Sequence, residues 1–270
     1  MPLFEDSWKR IDRSRTHADA LWTEVKRLFP QDGYTVQIHQ ESERTFTANA
    51  VFRSIVGDNS LALEIGEFFY QLRAALDAAV WKAVWILDGA EPPPNANRLE
   101  FPISPTQEKF DSAAIHKYSF PQELRDWIST IQPYSADKPV GDPDLGLNVT
   151  LEALHNCARK DRHRRLHVCA AFGQNVSFDV TPLTAEATVT FMQPLQTDFL
   201  KGKNAFLRFG VAGPVEKLKI NLTTGFEIDI ALDEVVTYTQ RGFPEELRRF
   251  GLATEHVINR FDSVYAQLGF

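Results

Sequence analysis

The sequence predicts an α+β protein with long amphipathic helices packed on an antiparallel β-sheet. Apolar residues recur at three- and four-residue spacing in several long stretches, which is typical of helices with one buried face. Between about residues 165 and 239 the period changes to two, in short runs bounded by turn residues. Two more alternating runs, at residues 34–39 and 45–52, surround a polar turn and predict a β-hairpin.

Five segments carry the helical pattern, and the one that leads into residues 161–164 is taken up below with its site residues. The first covers residues 8–29 and stops at Pro30, because proline ends a helix. The second, about Leu61 to Leu87, is apolar on more than one face, which predicts a position at the centre of the fold. Residues 121–131 predict a capped helix, and residues 244–268 predict the last one.

The strands after Arg165 predict an antiparallel meander that shares a sheet with the early hairpin. We therefore expect a single domain over residues 1–270, helix-rich in 1–165, with a β-meander at 166–239 and a C-terminal helix at 244–268. The alternative is a helical domain beside a separate sheet.

Composition limits the class of protein. Hydrophobic residues make up 43% and charged residues 24% of the 270, as in an ordinary soluble protein. The net charge of −7 argues against wholesale nucleic-acid binding. No window approaches the ~20 apolar residues of a membrane span. Two cysteines make no disulfide framework and the first residues lack a secretory pattern, so a cytoplasmic location is predicted.

The stretch from Leu151 to Phe172 concentrates the reactive side chains. It holds both cysteines, three of the seven histidines and, at 159–165, five cations around one Asp and one His. The pattern predicts a helix that runs into a strand, with Asp161 to Arg164 at the helix C-terminus. The helix dipole favours cations there, so these residues form either a solvated helix end or a phosphate- or carboxylate-binding site.

Arg73 and Asp77 form a second charged group, one turn apart on the apolar second helix. Their helix face also carries Tyr70 and Trp81. Buried charges are costly unless they are paired. The two residues therefore predict either a structural ion pair or the lining of a cleft.

Four segments in order resemble a widespread group of bacterial proteins of unassigned function. They are LEIGEFFYQLRAALDAAVW, FPI at 101–103, QPY at 132–134 and ARKDRHRR, against an expected pattern of LRxxLDH, FPI, QPY and DKHR. This chain departs at Ala78, where the pattern has His. The resemblance implies no activity, but it supports treating five residues as one constellation: Arg73, Asp77, Asp161, His163 and Arg164.

A weaker resemblance is to HEPN ribonucleases, helical domains that cleave RNA without metal using an Arg followed four to six residues later by His. Arg162 and His167 meet that spacing. The resemblance implies that Arg162 stabilises the phosphate charge while His163 or His167 carries the proton. The predicted strand separates Arg162 from His167 and departs from the family's helical setting.

A metal site could draw on six residues: His155, Cys157, Asp161, His163, His167 and Cys169. The CxxC and HExxH spacings of zinc sites are absent, as are GxSxG, Walker A and GxGxxG. No metal and no other cofactor is therefore predicted.

Together these patterns predict an anion-binding or regulatory module whose site combines Arg73, Asp77, Asp161 and Arg164. The alternative is a metal-independent ribonuclease of a defence or toxin type, using Arg162, His163 and His167. An anionic ligand or RNA is the expected partner, and a homodimer stays open.

Overall fold

A computed structural model describes residues 2–28, 34–52, 60–113, 120–135, 146–163, 168–172, 177–182, 188–194, 203–213, 220–225, 228–232 and 243–270. The described helices are α1 (Glu5–Leu28), α2 (Ser60–Asp88), α3 (Gln107–Asp111), α4 (Gln122–Thr130), α5 (Leu147–His163) and α6 (Phe243–Gln267). The described strands are β1 (Tyr34–Ser42), β2 (Thr45–Phe52), β3 (Val168–Phe172), β4 (Ser177–Pro182), β5 (Thr188–Pro194), β6 (Lys203–Ala212), β7 (Ile220–Gly225) and β8 (Ile228–Leu232). The α+β prediction is confirmed.

Helix α2 is the centre of the helical part, as its apolar sequence predicts. It contacts α1, α5 and α6. Thirteen of its residues are buried, because its apolar positions cover more than one face. The aromatic core beside it includes Phe69, whose ring meets the Phe250 ring edge-on at 5.0 Å between centroids.

The sheet prediction is confirmed in one respect and corrected in another. The early hairpin shares a four-stranded antiparallel sheet with later strands, in the order β1-β2-β6-β5. The later strands do not form a simple meander, however. Strand β3 pairs with β8, β4 with β7 and β5 with β6, so each pair encloses the next along the chain. Short alternating strands look alike in sequence, and their pairing order is set by contacts between distant residues.

The sheet buries a small apolar group of its own. Phe46 and Phe209 stack with ring centroids 5.6 Å apart, and Ala48 and Leu207 are fully buried beside them in the sheet. Over most of the described apolar surface the helices pack on one another, and their main contact with a described strand is that of α6 with β8. The helical part therefore carries the larger core and positions the site described below.

Candidate functional site

Arg73 and Asp77 form an ion pair that holds one residue of a neighbouring segment. Arg73 Nη2 lies 2.9 Å from Asp77 Oδ1, as expected for residues one helical turn apart. Arg73 Nη2 also donates to the carbonyl oxygen of Phe101 at 2.8 Å, and the Phe101 N–H donates to Asp77 Oδ1 at 2.8 Å. The pair therefore satisfies both backbone polar groups of Phe101. We call this arrangement the arginine clamp.

The arginine clamp leaves part of its guanidinium unused. The Arg73 side chain is only 5% exposed, whereas that of Asp77 is 30% exposed. Among the described residues, Arg73 Nε and Nη1 have no hydrogen-bond partner. Leaving buried donors of a charged group unsatisfied costs free energy. Both nitrogens are shielded from solvent, so an acceptor reaches them only with a small shift of the neighbouring side chains, and it would then recover that cost.

Arg73 lines a cavity of about 590 Å³. This volume is in the range of small-molecule sites. The wall is built from α1, α2, α5 and the segment before Phe101. The lining residues are Asp6, Lys9, Arg10, Tyr70, Arg73, Ala74, Asp77, Ala78, Trp81, Lys82, Leu99 and Ala158. Four cations face two carboxylates in this wall, although the whole chain has a net charge of −7. The cavity is therefore a positively charged site on an acidic protein.

The cations from α1 make only weak contacts of their own. Lys9 Nζ lies 2.9 Å from Glu5 Oε1 at the exposed start of α1. This hydrogen bond raises the pKa of Lys9 and lowers the pKa of Glu5. Arg10 Nη1 reaches Gln71 Oε1 at 3.5 Å, the outer limit of a hydrogen bond. The Lys9 contact is exposed, and the Arg10 contact is part-buried but long, so both contribute little to stability and both cations can turn toward a ligand at small cost.

Further along α2, Lys82 lines the cavity and stands beside an aromatic side chain. Its Nζ lies 3.3 Å from the centre of the Trp85 ring. Trp81, the preceding residue, is half-buried and lines the cavity. Ala78 lines it as well, so the position at which the chain departs from the LRxxLDH pattern belongs to the wall of this cavity. A methyl group there leaves space that an imidazole would occupy.

The FPI and QPY segments meet in a second polar network. Gln132 Oε1 accepts from the Ser104 N–H at 2.9 Å, while Gln132 Nε2 donates to Pro102 O at 3.0 Å and to Ile128 O at 3.1 Å. Asn148 Nδ2 donates to Gln132 O at 2.7 Å. We call this arrangement the glutamine clamp. It fixes the end of the segment whose beginning the arginine clamp holds.

The structure thus joins three of the four resembling segments. The LRxxLD part of α2, FPI and QPY meet because their side chains hold the backbone of residues 101–104. The predicted Arg73–Asp77 pair is present. Sequence patterns gave Gln132 no role beyond the end of a helix, because its partners are up to 30 residues away.

The fourth segment is described only in part. Helix α5 ends at His163 and β3 begins at Val168, which confirms the predicted change from helix to strand. Ala158 of α5 lines the cavity, five residues before that helix end. The side chains of Asp161, Arg162 and His163 lie outside the described part of the chain, as do Arg164 and His167 entirely. Their predicted place beside Arg73 and Asp77 therefore stays a prediction.

The cations missed by sequence reasoning are Lys9, Arg10 and Lys82. On the helical pattern they belong to the polar faces of α1 and α2, where cations are commonplace. Only the packing of α1 against α2 brings them to one cavity. The one signal in the sequence was that each of these cations lies next to the apolar face by which α1 or α2 packs on the other helix.

Among the described residues, no group of three or more His, Cys, Asp or Glu side chains has the arrangement of a metal site. Of the six residues considered as ligands, His155 and Cys157 have described side chains, and Cys157 is fully buried in α5. The other four side chains lie outside the described part.

Comparison with known proteins adds no name to this arrangement. No protein-family model, no curated protein and no solved structure matches the chain. Within the described residues, no helix has both the length and the apolar composition needed to cross a bilayer.

Proposed function

We propose that the protein is an anion-binding module and that the cavity around Arg73 is its binding site. One observation carries the proposal. The guanidinium of Arg73 is buried in the wall of a cationic cavity with two nitrogens unsatisfied among the described residues. A phosphate or carboxylate matches the planar donor geometry of arginine and would satisfy them.

The arginine clamp alone does not explain an arginine at position 73. The glutamine clamp holds the same segment with a neutral amide and leaves neither end of that amide unsatisfied. A charged side chain with spare donors is more than the backbone contact requires. Binding of an anion accounts for the excess, and Asp77 then has the role of orienting the guanidinium.

The cations Lys9, Arg10 and Lys82 extend the proposed site around the cavity. Because α5 ends at His163, five residues after Ala158, we include Asp161 and Arg164 in the proposal as further residues near the ligand. Release or binding of such an anion would couple to stability, since a ligand that binds only the folded state stabilises it.

The test is calorimetric titration of the purified chain with inorganic phosphate, with chloride as the control anion. Wild type should bind phosphate. Arg10→Gln should weaken this binding roughly tenfold, because a hydrogen bond to a charged group is worth about 1.5–3 kcal/mol. Arg13→Gln is the matched control: Arg13 is an exposed arginine of the same helix, and the cavity is lined by Arg10 and not by Arg13. Equal weakening by both variants would overturn the proposal, as would the absence of phosphate binding.

The ribonuclease alternative depends on the spacing of Arg162, His163 and His167, whose side chains lie outside the described residues. Its test uses the same protein with a chelator and mixed RNA. A metal-free ribonuclease needs a proton carrier, so His163→Gln and His167→Gln should together remove roughly 10²–10⁴-fold of the cleavage rate. RNA left intact by wild type, together with phosphate binding, would favour the anion-binding module.

A further inference from the structure

The wall of the cavity contains aromatic side chains as well as cations. Trp81 is half-buried and Tyr70 is 50% exposed, and both line the space beside Arg73. We infer that the ligand is a phosphate monoester that carries a planar ring a few bonds from the phosphate, as a nucleoside monophosphate does. This inference depends on the anion site proposed above and specifies its ligand.

The charge of the wall favours a dianion. Four cations line the cavity against two carboxylates, one of which, Asp77, already accepts from Arg73 and from the Phe101 N–H. Glu5 and Glu100 approach Lys9 and Arg73 from outside the lining, at 2.9 and 3.8 Å, but both are exposed and solvent screens their charge. A phosphate monoester carries about −1.5 to −2 charges at neutral pH, whereas a carboxylate carries one. Of the two anion classes proposed above, the phosphate monoester therefore matches the formal excess of two cations in the lining better than a single carboxylate does.

The layout of α2 separates the anion from the ring. Arg73, Asp77 and Trp81 follow one another at four-residue spacing and so share one side of the helix. The rise of ~1.5 Å per residue puts the Cα atoms of Arg73 and Trp81 about 12 Å apart along the axis. A phosphate at Arg73 and a ring on Trp81 are therefore joined through a spacer of several bonds.

Small side chains of α2 also line the cavity. Ala74 and Ala78 line the cavity between Tyr70 and Lys82. Their methyl groups leave the space in which a spacer such as a pentose would lie. Indole is also the side chain on which a flat, electron-poor ring stacks with the largest contact area.

The experiment compares ribose 5-phosphate with uridine 5′-monophosphate by calorimetry, because the two differ only in the planar base. We expect uridine 5′-monophosphate to bind at least roughly tenfold more tightly, the usual effect of stacking one base on one aromatic side chain. Phenyl phosphate, which has a ring but no spacer, should bind more weakly than uridine 5′-monophosphate.

Trp81→Leu should remove the advantage of the base and leave the affinity for ribose 5-phosphate within about twofold, because the phosphate contacts remain. That retained affinity also shows that the variant is folded. Trp22→Leu is the matched control, since Trp22 is 39% exposed and lines a different groove, between α1 and α6. Tyr70→Leu, at a half-exposed position, gives a second variant with less risk to folding.

Each outcome decides between the two proposals. Equal affinity for ribose 5-phosphate and uridine 5′-monophosphate would overturn the claim that the ligand carries a planar ring, while the proposed anion site would remain. Phenyl phosphate binding as tightly as uridine 5′-monophosphate would overturn the claim that a spacer separates the ring from the phosphate. A base advantage that survives in both Trp81→Leu and Tyr70→Leu would overturn this cavity as the ring site. Failure of every phosphate compound, including inorganic phosphate, would remove the proposed function as well.

Discussion

Two side chains hold the backbone of the same short segment, and they do so with different chemistry. Gln132 holds Pro102 and Ser104, and its amide oxygen and both amide hydrogens have acceptors or donors within 3.1 Å. Arg73 holds Phe101 through one nitrogen and leaves two others without a partner in the described part. Both side chains are buried.

The number of hydrogen bonds left unmade distinguishes a purely structural side chain from one that could also bind a ligand. A buried polar group whose hydrogen bonds are all made rigidifies the fold and has nothing to offer a ligand. The glutamine clamp is of this kind. The arginine clamp performs the same task and, in addition, presents a charged group at the wall of a cavity. Its unsatisfied nitrogens are the best indication of function in the described part of the molecule.

The comparison predicts that the saturated clamp contributes most to stability. Gln132→Ala should lower the free energy of unfolding by about 3–5 kcal/mol, because it leaves the Ser104 N–H and the Pro102 carbonyl unsatisfied in the core and opens a cavity. Denaturant unfolding followed by circular dichroism measures this loss. Gln122→Ala, at an exposed position of α4, is the control and should change the free energy by less than about 0.5 kcal/mol. A similar small change in both variants would remove the structural role of the glutamine clamp.

Breaking the ion pair of the arginine clamp should have the next largest effect. Asp77→Ala leaves Arg73 with only the exposed Glu100 carboxylate, 3.8 Å from its Nη2, and the Phe101 N–H without its acceptor. Breaking a buried pair costs about 3–5 kcal/mol, and we expect about 3 kcal/mol since Asp77 is 30% exposed. Asp88→Ala, at the exposed end of α2, provides the control in the same unfolding experiment. A loss below about 1 kcal/mol would mean that solvent replaces the carboxylate, and the clamp would then not depend on the pair.

These two clamps mark the limit of what the sequence alone could predict. Periodicity identified the helix centred on Leu72 and the change from α5 to β3, because burial repeats at the period of the local structure. It also indicated that Arg73 and Asp77 could pair, since they are one turn apart. It did not indicate Phe101 as the partner of this pair, nor Pro102 as a partner of Gln132, because a bond across 24 to 30 residues leaves no periodic trace. For the same reason Lys9 and Arg10 were not assigned to the site.

The difference between the two clamps is tested most directly by giving both of them a neutral amide side chain. Arg73→Gln puts a neutral amide about two bonds short of the Nη2 atom that donates to the Phe101 carbonyl, so that hydrogen bond, the charge and the spare donors are all lost. We expect a loss of about 2 kcal/mol in stability, because the buried Phe101 carbonyl loses its donor. The Asp77 carboxylate, which is 30% exposed, still accepts from the Phe101 N–H and stays solvated. Phosphate binding, measured by calorimetry, should fall at least roughly a hundredfold.

Arg73→Lys serves as the matched control for charge. It keeps the cation but lacks the planar fork of donors, so phosphate binding should fall between that of wild type and that of Arg73→Gln. A folded Arg73→Gln protein that binds phosphate like wild type would show that the guanidinium belongs to the clamp alone.

The smallest effect on stability is expected at Tyr265, which makes a single neutral hydrogen bond in the same helical core. Its loss gives a reference value against which the losses at the two clamps can be compared. Its hydroxyl donates to the Ala83 carbonyl at 3.4 Å, and burial raises the pKa of Tyr265 above its ordinary value. Tyr265→Phe should cost only about 0.5–1 kcal/mol near neutral pH.

The raised pKa of Tyr265 also predicts a dependence of stability on pH. Because the folded state holds the hydroxyl proton more tightly than the unfolded state, the contribution of Tyr265 to stability is complete below about pH 10 and is lost as the pH rises further. Wild type should therefore lose stability above about pH 10 faster than Tyr265→Phe, by up to ~1.4 kcal/mol per pH unit, while the contributions of the other five tyrosines cancel in the difference. Unfolding curves for both proteins between pH 8 and 11.5 measure this, and parallel curves would mean that Tyr265 ionises in the folded protein as readily as in the unfolded chain.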